Sequence, residues 1–319
     1  GDGVLSAEEI AAVTTIDVNS KGISDLTGIE YFTSLENLWC YANKLTAIDV
    51  SNNTALTGLF CDFNQLTSID VSKNTALFSF TCEGNQLTSL DLSNNPTLRS
   101  LYCLKNPLTS LDLSKNTALI ELYCSENQLT SLDLSNNTAL KELYCSKNQL
   151  TSLDLSNNPK LTKLYCYKNK LTSLDLSNNV ALTIVVFYEN TYEITLTDNT
   201  FDLSTLPAGF DISKASEWTN GTVKGNILTV EDASEWVTYK YDCGNGHSET
   251  FTLIPQIEET PVTTTTATTT VTTTTTTAAP ETTTVTTTTT APVTTTPATT
   301  TPEKPPVSLG DINGNGSID

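Results

Sequence analysis

Seven cysteines fall at one interval: Cys40, Cys61, Cys82, Cys103, Cys124, Cys145 and Cys166 are each 21 residues apart. Their surroundings repeat with them. Residues 143–163 read LYCSKNQLTSLDLSNNPKLTK, and nearly the same string recurs from Leu38 to about Thr183. A fixed interval of this length restricts the chain to a solenoid, because one unit cannot bury its apolar face alone and must stack on its neighbours. Cysteines repeated this way form a column of parallel side chains, with Cβ atoms farther apart than the ~3.8 Å a disulfide prefers. The column is also odd in number. The expectation is a ladder of free, buried thiols packing as small hydrophobes; a ladder of soft-metal ligands is the alternative that the residue type leaves open. So many free thiols in a secreted chain would fit an anaerobic habitat.

Within the unit, LYC alternates, which predicts a short strand with Leu143 and Cys145 inward and Tyr144 outward. SLDLS alternates again, and predicts a second strand with Leu153 and Leu155 inward and Asp154 outward. Bends at SKNQ and SNN would join the two. One asparagine per unit forms a further column: Asn43, Asn64, Asn85, Asn106, Asn127, Asn148 and Asn169. Its expected role is to bond the backbone of the bend, where no sheet partner is available. The acid column Asp49, Asp70, Asp91, Asp112, Asp133, Asp154 and Asp175 reads as a solvated face bonded to nearby Ser and Asn groups, or as a surface cation site.

This unit resembles the leucine-rich repeat pattern L-x-x-L-x-L-x-x-N-x-L: Leu140, Leu143, Cys145, Asn148 and Leu150 occupy its five fixed places. The resemblance covers roughly residues 13–190. GISDLTGIEYFTSLENL, an irregular first turn, is similar to the opening repeats of internalin-type proteins. The implied fold class is mainly β: a leucine-rich-repeat solenoid with a short helical N-cap, a small β module at the C-terminal end and a disordered Thr-rich linker.

The expected organisation is an N-terminal helical cap at 1–14, the solenoid at 15–190, a small β-rich capping module at 191–257, a Thr/Pro-rich linker at 258–307 and a short tail at 308–319. Ser6 with Glu9 makes a capping box for a helix through about Val13. Asp2, Gly3, Leu5, Ser6 and Glu9 also fit positions 5, 6, 8, 9 and 12 of a calcium loop. In 191–257 the period is lost; TYEITLT, GNILTV, WVTYKY and ETFTLI read as strands and CGNGH as a tight turn. Cys243 and His247 lie four residues apart there, but nothing nearby orients this histidine, the only one in the chain, for nucleophilic catalysis. The threonine-rich stretch cannot pack a core and reads as an extended spacer, open to O-glycosylation.

The tail reads LGDINGNGSID. Numbered from Asp311, it places Asp311, Asn313 and Asn315 at positions 1, 3 and 5 of an EF-hand-type loop, Gly316 at 6, the Ser317 carbonyl at 7 and Asp319 at 9. Following a Thr/Pro linker, Leu309–Asp319 resembles the start of a dockerin, the paired calcium-loop module that plugs cellulosomal proteins into cohesins on a scaffold. The resemblance implies calcium ligation by Asp311, Asn313, Asn315, Ser317 and Asp319, the last through water. It also implies weak or absent calcium binding here, because the acid at position 12 is missing.

Composition narrows the function. Lys and Arg number 16 against 36 Asp and Glu, a net charge of -20, which disfavours nucleic acid and anionic lipid, favours solubility and is consistent with calcium, basic partners or neutral glycans. No apolar run is long enough to span a membrane. The chain contains no Met, so Gly1 is not a translation start; both ends read as cut, with a signal peptide lost. No nucleotide loop, metal-spaced histidines or triad is present, and no residue is assigned to catalysis. The candidate ligand surface is the outward strand column, Trp39, Phe60, Tyr102, Tyr123, Tyr144 and Tyr165, interrupted by Thr81. Beside it runs a varying column of Tyr41, Asp62, Glu83, Leu104, Ser125, Ser146, Tyr167 and Tyr188. Such aromatic stripes suit proteins or sugar rings, or serve the sheet alone. The favoured reading is a secreted, non-catalytic module that binds protein or plant-wall glycan and docks to a cellulosomal scaffold. The alternatives are an internalin-like surface adhesin and the binding portion of a larger cellulosomal glycoside hydrolase.

Overall fold

The structure, a computed structural model, describes residues 5–257. The linker and the calcium-loop tail, with Asp311, Asn313, Asn315, Ser317 and Asp319, lie outside the described residues, as do Asp2 and Gly3.

Each turn of the solenoid supplies one three-residue strand. The nine strands are β1 (Thr15–Asp17), β2 (Asn37–Trp39), β3 (Gly58–Phe60), β4 (Ser79–Thr81), β5 (Ser100–Tyr102), β6 (Glu121–Tyr123), β7 (Glu142–Tyr144), β8 (Lys163–Tyr165) and β9 (Ile184–Val186). They form one parallel sheet in strict sequence order. From β3 to β9 each pairing matches residues 21 apart, as in Leu122↔Leu143 and Tyr123↔Tyr144. The inward residues are buried on every turn: Leu122, Leu143 and Leu164 at the strand centre, Leu129 and Leu150 after the bend. All eight cysteines, including Cys243, are free and buried.

The expected second strand does not form. Leu153 and Leu155 are buried as the alternation requires, but SLDLS is irregular backbone, and among the described residues this side holds only one isolated bridge, Asp49↔Asp70. Two local bonds displace the ladder. Each aspartate of the acid column accepts the Ser N–H two residues on, as in Asp112–Ser114 and Asp133–Ser135, both 2.9 Å. This is an Asx turn, a side-chain substitute for backbone pairing. The following leucine carbonyl then accepts from an asparagine of the next turn: Asn116 Nδ2 donates to the Leu92 carbonyl (3.1 Å) and Asn137 Nδ2 to that of Leu113 (3.2 Å).

Two asparagine columns therefore run through the solenoid. In the first, Asn127 Nδ2 donates to the carbonyls of Cys103 and Cys124, both at 3.0 Å, and Oδ1 accepts the Leu108 N–H at 3.1 Å. Asn64, Asn85, Asn106, Asn148 and Asn169 repeat this pattern, and Asn43 bonds Val18, Cys40 and Ile23 likewise. The second column is Asn53, Asn74, Asn95, Asn116, Asn137, Asn158 and Asn179, all buried. Sequence reasoning treated it as part of the SNN bend, although its 21-residue recurrence was a signal as plain as that of the cysteines.

At the N-terminal end α1 (Ala7–Ala11) carries the complete capping box: Glu9 N–H donates to Ser6 Oγ (3.1 Å) and Ser6 N–H to Glu9 Oε2 (2.8 Å). It stops at Ala11, short of Val13, and none of its residues is buried.

Beyond β9 lie β10 (Thr191–Leu196), β11 (Thr200–Asp202), β12 (Ala215–Thr219), β13 (Gly221–Lys224), β14 (Ile227–Val230), β15 (Val237–Gly244) and β16 (His247–Ile257). They form a four-stranded sheet, β10-β16-β15-β12, and a three-stranded one, β11-β14-β13. Three of the strands, β11, β12 and β13, were not anticipated. CGNGH closes the β15–β16 hairpin, with Gly244, Asn245 and Gly246 all at positive φ. This part seats on the last repeat: Leu176 N–H donates to the Cys243 carbonyl (2.8 Å), Tyr239 Oη bonds the Thr172 carbonyl (2.5 Å), and Asn245 Nδ2 bonds the Leu176 carbonyl. Gly244 suits the approach: its φ is 81°, and a Cβ there would lie 2.7 Å from Ser177 Oγ and 3.3 Å from the Ser177 backbone N.

Candidate functional site: the outer face of the parallel sheet

The period that buries Leu143 and Cys145 turns Tyr144 to the opposite face, and the in-register pairing stacks equivalent rings from strand to strand. Tyr102, Tyr123, Tyr144 and Tyr165 form one continuous stack with centroids 4.3, 4.1 and 4.4 Å apart. Trp39 and Phe60 stack at 5.5 Å. Between the two groups stands Thr81, which interrupts the file. The rings are half-buried: their faces cover one another and their edges meet solvent.

Charged residues at the first position of β6, β7 and β8, namely Glu121, Glu142 and Lys163, hold the stack. Tyr102 Oη donates to Glu121 Oε2 and Tyr123 Oη to Glu142 Oε2, both at 2.7 Å. Lys163 pairs with Glu142 at 2.9 Å. Burial, then the bonds to glutamate, push the Tyr102 and Tyr123 hydroxyls up. The Lys163 and Tyr123 bonds hold the Glu142 carboxyl below its ordinary value. At neutral pH the tyrosines are donors and Glu142 is an anion.

The neighbouring column varies along the solenoid, from Tyr41 through Asp62, Glu83 and Leu104 to a serine pair and a tyrosine pair. Tyr41 is exposed, and Tyr167 stacks on exposed Tyr188 at 5.0 Å. Ser125 and Ser146 are buried, and Ser125 Oγ accepts the Ser146 N–H at 3.1 Å, so the middle of this column presents small groups. Next to it, a line of residues at positive φ carries Ala42, Phe63, Gly84, Lys105, Glu126, Lys147, Lys168 and Glu189. Only one of these is glycine, although the left-handed region disfavours the others. Cross-turn ion pairs lie along this line: Lys105–Glu83 (2.9 Å), Lys147–Glu126 (3.1 Å) and Lys168–Glu189 (3.3 Å).

The predicted surface residues thus share one face, while the cysteine and asparagine columns sit inside. Burial pushes the thiols up, to about 12 at Cys40 and Cys103, which keeps them protonated and unreactive at neutral pH. Among the described residues no group of His, Cys, Asp and Glu is arranged to hold a metal ion. Cys243 and His247 are not hydrogen-bonded to each other; the Cys243 thiol instead contacts the Tyr241 carbonyl at 3.7 Å.

Residues 117–158 and 138–179 match the family model for Leucine Rich repeats (2 copies), so the fold is that of a leucine-rich-repeat solenoid. The repeats are similar to those of an internalin: the chain is 42% identical over 50 residues to Internalin J of Listeria monocytogenes serotype 4b (strain F2365). That match takes in 16% of this chain and only 6% of Internalin J. Among solved structures, internalin C2 of Listeria monocytogenes str. 4b F2365 aligns with a TM-score of 0.56 at 23% identity, over 57% of this chain and 84% of its own. The internalin inlF of the same strain aligns at 0.50 with 26% identity, over 60% and 65%. No helix among the described residues is long and apolar enough to cross a membrane.

Proposed function

We propose that the chain is a secreted, non-catalytic binding module whose outer sheet face captures a protein ligand. The observation that supports this most directly is the tyrosine stack of Tyr102, Tyr123, Tyr144 and Tyr165, flanked by columns whose charge and size change from strand to strand. Rigid aromatic anchors beside variable polar groups are the composition of protein-recognition surfaces. A plant-wall glycan is the other ligand class that such rings accommodate. The sequence of the tail supports a second, separate proposal: calcium-dependent docking to a cohesin, through the dockerin of which Asp311, Asn313, Asn315, Ser317 and Asp319 would be the first ligands, as part of a cellulosome. The similarity to internalins supports the adhesin reading in its place. A role as the binding portion of a larger cellulosomal glycoside hydrolase is compatible with either ligand.

The test of the first proposal is the triple variant Tyr123→Ala, Tyr144→Ala, Tyr165→Ala. A ligand recovered on the immobilised full chain is titrated against wild type and variant. The expected result is at least about a tenfold loss of affinity, the scale of one hot-spot residue, with the circular-dichroism spectrum retained. Undiminished binding by a variant that melts much earlier would assign the stack to sheet stability alone. Docking is tested by retention of the complete protein on an immobilised cohesin; retention that EDTA does not release would refute the calcium-dependent contact.

A further inference from the structure

Between Trp39 and Tyr165 the aromatic file breaks at one place, and the break opens a hollow on the surface. Phe60, Thr81 and Tyr102 are directly paired across β3, β4 and β5. At ~4.8 Å per strand, the missing ring at Thr81 leaves room for one planar group. A hollow of about 260 Å³ opens there, lined by Tyr41, Asp62, Phe63, Thr81, Glu83 and Tyr102. Tyr102 is covered by Tyr123 on one side and has no ring on the Thr81 side.

The polar groups lining this notch are nearly all acceptors. The Thr81 hydroxyl already donates to Asp62 Oδ2, and the Tyr102 hydroxyl to Glu121. Asp62 Oδ1 accepts the Glu83 N–H at 2.7 Å, yet a carboxylate has about four acceptor positions, so Asp62 keeps capacity. Glu83 is bound on one oxygen by Lys105 (2.9 Å), whose ammonium lies 5.7 Å from the Phe63 ring. Two carboxylates against one ammonium leave the notch net negative. Burial pushes the Asp62 carboxyl up.

A sugar brings hydroxyl acceptors as well as donors, and the one uncommitted side-chain hydroxyl here is that of exposed Tyr41. A lysine ammonium has donors but no plane to lay on Tyr102. A guanidinium has five donors, no acceptor and a flat face that stacks on aromatic rings. We infer that this notch is the seat for an arginine side chain of a protein partner, its guanidinium lying on the open face of Tyr102 and donating to Asp62 and Glu83. The inference rests on the reading of the outer face as a protein-binding surface, and it names one residue that the partner presents.

The probe is N-acetyl-arginine amide, titrated into isotope-labelled full chain and followed by amide chemical shifts. Saturable shifts are expected at Asp62, Thr81 and Glu83. Affinity should exceed that of N-acetyl-citrulline amide, which has the same shape without the charge, by about tenfold or more, as a charge-assisted pair requires. Thr81→Tyr completes the stack, so it should abolish the shifts while melting no earlier than wild type. Asp62→Asn should weaken binding by about tenfold. Equal binding of citrulline, lysine or glucose, absence of saturable shifts, or binding retained in Thr81→Tyr would each overturn the assignment. Because Tyr144 and Tyr165 neither line the notch nor stack on Tyr102, a Tyr144→Ala, Tyr165→Ala variant tests the broader surface with the notch intact, so loss of arginine binding and loss of the broader surface reading are separate results.

Discussion

Replacing Asn127 with alanine tests the internal bonding of the solenoid. The side chain is buried; its amide donates to the Cys103 and Cys124 carbonyls, and its oxygen accepts the Leu108 N–H. Three bonds at about 1 kcal/mol net each give ~3 kcal/mol, and the Leu108 N–H left buried without a partner adds ~1–2 kcal/mol. The expected cost of Asn127→Ala is therefore about 4 kcal/mol. Asn137→Ala should cost about half as much: it loses two donations, to Leu113 and Asn116, but also removes a buried oxygen that bonds no other protein group. Asn136→Ala, on the exposed side of the same bend, should be near neutral. Urea unfolding of the three variants gives the ranking. Because repeats are coupled mainly to their neighbours, a local loss need not move the global midpoint fully, so hydrogen exchange at the Leu108 amide is the second readout. If Asn127→Ala costs no more than Asn136→Ala and leaves Leu108 protected, the asparagine column does not hold the bends.

Raising the pH should destabilise the chain through its thiols. The ordinary thiol value is 9.0, and burial holds Cys103 protonated up to about 12. Above pH 9 the unfolded state therefore sheds protons that the fold retains, and stability falls, by about 1.4 kcal/mol per thiol at pH 10. Urea midpoints between pH 7 and pH 10 measure the fall, and Cys103→Ala should make it shallower; a flat profile would contradict the burial of the column. Ala42→Gly should stabilise by about 0.5–1 kcal/mol, since Ala42 is exposed at φ 54° and glycine relieves the left-handed strain; a lower melting temperature would refute this.

The solenoid was legible because its signal is redundant: strand, core leucines and cysteine recur together, and β2–β8 each begin one residue before the LYC-like triplet, from NLW to KLY, so that the cysteine lies just past the strand rather than in it. The second strand was misread for a physical reason. Alternation reports which face a residue points to, and Leu153 and Leu155 do point inward, but it does not report where the backbone bonds go. Asp154 and Asn179 supply side-chain partners to that segment, Asp154 to the Ser156 N–H and Asn179 to the Leu155 carbonyl, and no sheet is needed. Thr81 was visible as a gap in an aromatic column. That the gap is an open hollow with committed hydroxyls and carboxylates with spare acceptor capacity depends on the rotamers of Asp62, Tyr102 and Glu83, which no spacing encodes. Strands β11–β13 were missed because they are short, flank turns at Asn199, Asn220 and Gly225, and carry no period.

The seat of the C-terminal sheets has a consequence for chain length. Thr172, Leu176 and Ser177 receive Tyr239, Cys243, Asn245 and Gly244. All three belong to the LTSLDLS string present in several earlier copies, and two of the contacts are to their main-chain oxygens. These contacts are to features shared by the earlier coils, while Phe187 and Asn190 of the last turn add contacts to Phe251 and Thr252. Gaining or losing a whole 21-residue copy upstream would preserve the junction and lengthen or shorten the tyrosine-bearing face by ~4.8 Å, which makes reach an independently adjustable property of this scaffold.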